Sequence, residues 1–187
     1  MASEYAIKTP PQTLDDADAT AKPLLEKAKA NLGFVPNMYE AMAIAPGVLN
    51  TYLYGYALFR GDSGFTPAEQ EVVFLAISRE NGCAYCMGAH SMLAEKASRV
   101  PGDVLAAIRE DRAIPDEKLA KLAGFTRIMF RTRGLPRESD VKAFLDAGYK
   151  EQHILQIILA LAVKTLSNYS NHLNHPELDE AFSAYAW

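Results

Sequence analysis

Two cysteines and a histidine are the side chains of this sequence whose types and spacing most favour chemistry. Cys83 and Cys86 are the only cysteines and form a C-x-x-C pair, and His90 follows four residues later. On a helix the two sulfurs would lie about one turn apart, close enough to form a disulfide, and all three side chains would share one face. Asn81-Gly82 predicts a break just before Cys83, which places Cys83 in the first turn of a new helix, where the dipole favours a thiolate.

A second predicted helix would position a carboxylate beside them. Thr66-Pro67 has the features of a helix start, and Glu69 completes a capping box. On this helix Glu71 recurs with Phe74 on an otherwise mostly apolar face. A carboxylate in that position needs a partner, and the imidazole of His90 or a thiol of the next helix would provide one.

Three interpretations of this group remain open at this point. The cysteines and the histidine could be ordinary core residues. They could bind zinc, with Glu71 or a later histidine as the fourth ligand, although no second C-x-x-C or H-x-x-x-H follows at the spacing of a zinc finger. Redox chemistry requires an attacking thiolate, a second thiol that resolves the product and an acid/base group. The cysteine pair and His90 with Glu71 supply all three, so we favour the redox interpretation.

The pattern Glu71-x11-Cys83-x2-Cys86-x3-His90 resembles that of the alkylhydroperoxidase D-like proteins of the carboxymuconolactone decarboxylase superfamily. The resemblance covers about residues 30 to 175 and extends to the branch called peroxidase-related. The flanking segments that carry it are Gly33–Asn37, Ala45-Pro46, Phe65–Glu71 and Asn81–Cys86.

The resemblance implies that Cys86 is the peroxidatic thiol, Cys83 the resolving thiol, and Glu71 and His90 the proton relay. The best-known members have a relay histidine just before the second cysteine, whereas this chain has Tyr85, a candidate auxiliary residue. A phenol is a weak base near neutral pH, which bears on peroxidase efficiency more than on disulfide exchange. Decarboxylase members lack the cysteine pair, which argues against lactone decarboxylation.

The resemblance also implies a thiol-dependent alkylhydroperoxide reductase, with no cofactor or metal besides the redox-active cysteine pair. Its partners would be a hydroperoxide substrate, an external dithiol or lipoyl-type reductant, and copies of itself in a trimer or hexamer. Alternative functions are a thiol-disulfide redox sensor or protein-disulfide oxidoreductase without efficient turnover, a zinc-binding module, and a cofactor-independent enzyme on the same scaffold.

Composition restricts the class of protein further. The chain has 187 residues, is 49% hydrophobic and carries a net charge of −4 without a basic run, so neither nucleic acid nor a membrane is an expected partner. Residues 1 to 20 have no apolar core of a secretion signal, and a reducing cytoplasm suits a cycling C-x-x-C pair. We therefore expect a cytoplasmic protein.

The spacing of apolar residues predicts an all-α, single-domain fold of about eight to ten helices, with an N-terminal arm over residues 1–20 and the helical domain over residues 21–187. The segment from Glu151 to Tyr169 is the most apolar. It is too short and interrupted to span a bilayer and is interpreted as a central core or subunit-interface helix. Residues 176–187 are expected to form a last amphipathic helix that docks on a neighbouring subunit. Three tyrosines either pack in the core or line a substrate pocket beside the cysteines: Tyr52, Tyr54 and Tyr56.

Overall fold

A computed structural model of the chain describes residues 3–187. Over this range the chain forms one helical domain without β-strands, which confirms the predicted fold class. Nine α-helices are followed by a C-terminal 3₁₀ helix, Glu180–Tyr185. The α-helices are α1 Lys22–Leu32, α2 Asn37–Ala43, α3 Pro46–Asp62, α4 Pro67–Glu80, α5 Ala84–Lys96, α6 Gly102–Glu110, α7 Glu117–Arg131, α8 Glu138–Asp146 and α9 Glu151–Asn174.

Helix α4 is the centre of the domain. Every residue from Glu69 to Ser78 is buried, because α4 packs against α5, α7 and α9. It begins as predicted: Thr66 Oγ1 accepts a hydrogen bond from the Glu69 backbone N–H, and Glu69 Oε2 accepts one from the Thr66 backbone N–H. It ends before a turn in which Gly82 has a φ of +65°, a conformation that glycine adopts without steric cost. The turn sends the chain directly into α5.

Helix α9 is half core and half surface. One side packs on α3 and α4 and buries Ile157, Ala160 and Val163, whereas Leu155 and Tyr169 on the other side are 68% and 51% exposed. The segment from Glu151 to Tyr169 was expected to be either a central core helix or a subunit-interface helix. The central helix of the domain is α4 instead. Helix α9 also runs to Asn174, through Asn171 and His172, and His175 caps its end. No helix among residues 3–187 meets the length and hydropathy needed to cross a membrane.

The C-terminal segment differs from its prediction. It forms a short 3₁₀ helix instead of an amphipathic α-helix, and it packs against α5 of its own chain. A Cβ added to Gly88 of α5 would lie 3.1 Å from Leu178 Cδ1, so the glycine permits this close approach. The indole Nε1 of Trp187 donates to the Arg109 carbonyl at 2.9 Å. The C-terminal segment therefore lies against the helix of the two cysteines in its own chain, with Phe182 packed on Tyr85.

The N-terminal arm lies along the end of α9. The backbone N–H groups of Ser3 and Ile7 donate to the carbonyl oxygens of His172 and Leu173, both at 2.9 Å. The first two residues of the arm predicted over residues 1–20 fall outside the described range.

Candidate functional site

The predicted pairing of Glu71 with His90 is present in the core. Glu71 Oε2 lies 2.8 Å from His90 Nδ1, and Glu71 Oε1 accepts a hydrogen bond from Arg60 Nη2. The carboxylate and the imidazole are both buried. Helix α3 supplies Arg60, α4 supplies Glu71 and α5 supplies His90, so this cluster exists only because the three helices pack together.

The charges of the cluster favour a neutral imidazole. Burial alone would raise the pKa of Glu71, but His90 and Arg60 outweigh it and lower the pKa of the carboxyl below its ordinary value. Burial and the charge of Lys164 lower the pKa of His90. An ionised Glu71 accepts a hydrogen bond from Nδ1–H, which leaves Nε2 of the imidazole as the basic nitrogen. His90 is thereby arranged to act as a base.

The two cysteines lie at the start of α5. Cys83 is the N-cap residue, one position before the first turn in which it was expected, and its backbone N–H donates to the Ser78 carbonyl at 3.0 Å. Both side chains are buried free cysteines, 3.7 Å apart. The Asn171 amide Nδ2 lies 3.4 Å from Cys86 Sγ and 3.6 Å from Cys83 Sγ. One amide from α9 thus contacts both sulfurs.

The two sulfurs have different acidities. The hydrogen bond from Cys83 lowers the pKa of Cys86 well below its ordinary value, and the positive charge of Lys164 reinforces this effect against the opposing effect of burial. The same hydrogen bond and burial raise the pKa of Cys83. This asymmetry favours a Cys86 thiolate that accepts a hydrogen bond from a Cys83 thiol. A thiolate is the nucleophilic form of cysteine.

A polar stripe on α9 completes the site, and sequence analysis did not assign it any role there. Lys164, Ser167 and Asn171 are buried and recur at the three- and four-residue spacing of one helical face. Cys86 Sγ lies 4.0 Å from Ser167 Oγ. The signal was present in the sequence as polar residues at helical spacing within the most apolar segment. Arg60 had no comparable signal, because it lies in the last turn of α3.

Tyr85 takes part in a different contact. Its hydroxyl donates to Asp179 Oδ2 and accepts a hydrogen bond from the Met38 backbone N–H at 3.4 Å. Its ring packs edge-on against Phe182. Burial and Asp179 raise the pKa of Tyr85. The Tyr85 hydroxyl is therefore engaged with the C-terminal segment and not with the Glu71–His90 pair.

Of the three tyrosines of α3, two lie towards the site. Tyr52 is buried, and Tyr56 stacks on Phe74 with the ring centroids 5.5 Å apart. The Tyr56 hydroxyl accepts a hydrogen bond from Arg60 Nη2 at 2.8 Å. Tyr54 is exposed. Through Arg60, Tyr56 is thus linked to the buried carboxylate of Glu71.

Two clefts reach residues of this site from different directions. One, of about 280 Å³, lies between α1, α2 and α3 and is lined by Leu24, Leu53, Tyr39 and Tyr56 among others. The second, of about 260 Å³, is lined by Cys83, Tyr85, Asn171, His172 and His175 among others. A wider cleft of about 560 Å³ between α7 and α8 contains none of the residues of the thiol site. It is therefore not a candidate substrate cleft for that site.

The zinc interpretation gains no support from the arrangement. Within the described part of the chain, no group of three or more His, Cys, Asp and Glu side chains is placed to hold a metal ion. His90, a ligand in that interpretation, directs Nδ1 to Glu71.

A buried C-x-x-C pair beside a Glu–His pair, in a domain of nine α-helices over the described residues, defines an all-α protein with a dithiol site. The profile of the carboxymuconolactone decarboxylase family matches residues 49–126, the segment that carries Glu71, Cys83, Cys86 and His90. This segment of the chain is therefore similar to the carboxymuconolactone decarboxylase family, in agreement with the resemblance found in the sequence.

Solved structures share the fold over nearly the whole chain. The alkylhydroperoxidase AhpD core of an uncharacterized peroxidase-related protein from Ralstonia eutropha JMP134 has a TM-score of 0.82 at 21% identity, covering 94% of this chain and 93% of the other. A peroxidase-related protein from Silicibacter sp. TM1040 has a TM-score of 0.77 at 20% identity, covering 97% and 95%.

An enzyme with a different named activity also has this fold. The debrominase Bmp8, as a variant with one cysteine changed to alanine and in complex with 2,3,4-tribromopyrrole, has a TM-score of 0.76 at 16% identity, covering 96% of this chain and 95% of the other. Identities this low show a shared fold and leave the reaction open. No curated protein matches the chain significantly.

Proposed function

We propose that the protein is a thiol-dependent hydroperoxide reductase in which Cys86 attacks the peroxide. The observation that carries this proposal is the position of Cys86: its sulfur is buried, the Asn171 amide lies 3.4 Å away, and a second thiol and a Glu–His pair are part of the same core. A hydroperoxide reductase that works through a disulfide needs an attacking thiolate, a resolving thiol and an acid/base group. The family match supports a role of this kind.

Before the first step His90, held by Glu71, passes the proton of Cys86 to solvent, so that the reduced site holds a Cys86 thiolate and a neutral imidazole. The thiolate attacks the terminal oxygen of the hydroperoxide, and the O–O bond breaks. The leaving alkoxide takes up a proton from solvent through His90 and departs as an alcohol, or as water if the substrate is hydrogen peroxide. Cys86 is left as a sulfenic acid, oxidised by two electrons. Arg60 keeps Glu71 ionised and thereby keeps Nε2 of His90 basic.

In the second step Cys83 resolves the sulfenic acid. Its sulfur attacks Cys86 Sγ, the Cys86 S–O bond breaks, and water leaves with the proton of the Cys83 thiol. The product is the Cys83–Cys86 disulfide. An external dithiol of the lipoyl type must then attack the disulfide and leave as its own disulfide. Because Cys83 lines the cleft of about 260 Å³, we expect the reductant to attack Cys83, in a reducing compartment such as the cytoplasm.

The aromatic cleft between α1 and α3 suits an organic substrate. Its lining includes Leu24 and Leu53 together with the rings of Tyr39 and Tyr56, and an apolar group of a hydroperoxide would be desolvated against these side chains. We therefore expect faster turnover with cumene hydroperoxide than with hydrogen peroxide.

A thiol count on the intact protein tests the proposal. The reduced protein would receive one equivalent of cumene hydroperoxide and then dihydrolipoamide, with peptide mass spectrometry after each step. We expect the loss of two hydrogens in the peptide that contains Cys83 and Cys86, and its reversal by the dithiol. Cys86→Ser should not consume peroxide, and Cys83→Ser should stop at the Cys86 sulfenic acid.

Repeated turnover separates an enzyme from a sensor. With excess dihydrolipoamide, many equivalents of peroxide should disappear for each protein chain. One equivalent without further consumption would favour the alternative of a thiol-disulfide redox sensor or protein-disulfide oxidoreductase. If both cysteines stay reduced in peroxide, the result would contradict the peroxide reductase and the peroxide sensor.

Reductive dehalogenation is a second candidate, favoured by the aromatic lining of the cleft and by the debrominase of the same fold. Here the Cys86 thiolate would take the bromine of a bromoarene, the ring carbon would gain a proton, and Cys83 would displace bromide to form the same disulfide. Bromide release from 2,3,4-tribromopyrrole, measured beside peroxide consumption, distinguishes the two reactions.

We also propose that the protein is a homo-oligomer, a trimer or a hexamer. The support is the apolar surface left on α9, where Leu155, Ile158 and Tyr169 are exposed. An exposed apolar stripe of this kind is typical of an interface. Sedimentation velocity measures the mass directly, and a monomer at micromolar concentration would contradict the proposal.

A further inference from the structure

Lys164 carries a buried charge without a hydrogen-bond partner. Its side chain lies on α9 and is 0% exposed, and within residues 3–187 no partner is found for Nζ. Nζ lies 5.5 Å from the ring centroid of Phe74, which provides a cation–π contact but no neutralising charge. A buried ammonium is costly unless an anion lies beside it. The site should therefore contain a counter-ion for Lys164.

Cys86 is the group that fits this role. Glu71 is already held by Arg60 and His90 through its two oxygens. Ser167, one turn after Lys164 on the same face of α9, has Oγ 4.0 Å from Cys86 Sγ, so this face of the helix lies against the thiol. With Cys86 as a thiolate, the site holds two positive and two negative side chains and is neutral as a whole. With Cys86 as a thiol, one positive charge is left over.

We propose that the Lys164 ammonium is the counter-ion of the Cys86 thiolate, and that it makes the Cys83–Cys86 disulfide more oxidising. The inference rests on the proposed thiol chemistry and does not depend on the identity of the electrophile. Reduction by a dithiol breaks the S–S bond, turns the reductant into its own disulfide, and leaves the Cys83 thiol, the Cys86 thiolate and one proton in solution. The ammonium stabilises only the reduced side, because the disulfide has no charge.

Other titratable groups also act on this sulfur, so the test has to isolate Lys164. They are Tyr39 on α2, Tyr52 and Tyr56 on α3, Cys83 before α5, Tyr85 and His90 on α5, and His172 on α9. Arg60 on α3 and Glu71 on α4 act on Tyr56, and Glu71 also acts on His90. All of them remain in place in a Lys164 variant.

The test follows the Cys86 thiolate in the reduced protein without peroxide. Thiolate absorbance at about 240 nm and the rate of alkylation by iodoacetamide would be measured against pH for the wild type, Lys164→Met, Lys164→Gln and Lys164→Arg. We expect the midpoint to rise by roughly one to three pH units in Lys164→Met and Lys164→Gln, and to stay near that of the wild type in Lys164→Arg. Each unit of upward shift should lower the equilibrium constant for reduction by dithiothreitol up to about tenfold, or ~30 mV.

Two controls separate the charge from the packing. Lys121→Met removes an exposed positive charge from α7, and Ile157→Val loosens the buried face of α9 without removing a charge. Neither should move the midpoint. An unchanged midpoint of the Cys86 titration in folded Lys164→Met or Lys164→Gln would overturn the inference. A wild-type protein in which Cys86 is still a thiol at about pH 7.5 would also overturn it, and this measurement needs no variant. Peroxide turnover is measured separately, so a protein with the Lys164-dependent thiolate but no turnover would refute only the proposed function.

Discussion

At the scale of single residues, the site is a set of buried charges that neutralise one another. Arg60 and His90 occupy the two oxygens of Glu71, and Asn171 contacts both sulfurs. Each of these groups would be costly to bury alone. The chemistry of Cys86 therefore depends on neighbours that do not themselves react.

The change Glu71→Gln tests the base. Glutamine can still accept the hydrogen bond of His90 Nδ1, but it removes the negative charge that stabilises an imidazolium. We expect peroxide consumption to slow by about 10²-fold, while the protein stays folded, as measured by its thermal unfolding. Glu69→Gln is the matched control on α4, because Glu69 pairs with Lys118 and Tyr149 and should affect stability without affecting the rate. Equal rates in the two variants would contradict the role of Glu71.

The change Tyr85→Phe separates a structural phenol from an auxiliary catalytic one. It removes the hydrogen bond to Asp179, so we expect the free energy of unfolding to fall by about 1.5–3 kcal/mol, measured in urea, with an unchanged rate of Cys86 alkylation. Tyr54→Phe removes an exposed phenol and should change neither quantity. If Cys86 is alkylated more slowly in Tyr85→Phe while the free energy of unfolding is unchanged, Tyr85 would be an auxiliary residue of the proton relay.

At the scale of helices, the close contact between α3 and α9 sets the position of the polar stripe. A Cβ on Gly55 would lie 2.9 Å from Val163 Cγ2, and Val163 directly precedes Lys164. This contact requires a glycine on α3, because a Cβ there would have to displace Val163 of α9. Helix α4, in contrast, is held at its start by the capping box of Thr66 and Glu69.

Two glycines of the same helix make a paired test. Gly55→Ala should lower the free energy of unfolding by about 1–3 kcal/mol through overpacking. Gly61→Ala should raise it by about 0.5–1 kcal/mol, because a Cβ there meets nothing within 4 Å and alanine favours the helix. Urea unfolding measures both. A Gly55→Ala protein as stable as the wild type would show that α3 and α9 separate easily.

At the scale of the whole molecule, acid should destabilise the protein through its histidines. Burial lowers the pKa values of His90, His153 and His172. His153 also accepts a hydrogen bond from the Lys150 backbone N–H at its Nδ1. Protonation is thus easier in the unfolded chain, where the pKa of histidine is about 6.5.

The sign of the pH dependence follows from this difference. Below about pH 6.5 the unfolded chain binds more protons than the folded one, so stability should fall as the pH drops through the lowered folded pKa values. We expect a lower free energy of unfolding at about pH 5.5 than at about pH 7.5, measured in urea, and a smaller difference in His153→Gln. A constant or rising stability over this range would contradict the prediction.

Much of the fold and part of the site were predictable from local sequence. The capping box fixed the start of α4, Asn81-Gly82 fixed the break before α5, and the 3- and 4-residue spacing of apolar residues identified the helices. Each of these signals involves residues only a few positions apart, so they can be recognised in the sequence without knowledge of the fold. The pairing of Glu71 with His90 was predictable because a carboxylate on an apolar face requires a partner.

What only the tertiary structure decided is where distant segments meet. Arg60, Lys164 and Asn171 reach the site from α3 and α9, and Tyr85 contacts Asp179 across 94 positions of the chain. The sequence by itself determined the all-α class, the dithiol and the Glu–His pair, because spacing on one or two neighbouring helices encodes them. Helix packing decided the counter-charges, since a buried charge acquires its partner only when the elements that carry the two groups come together.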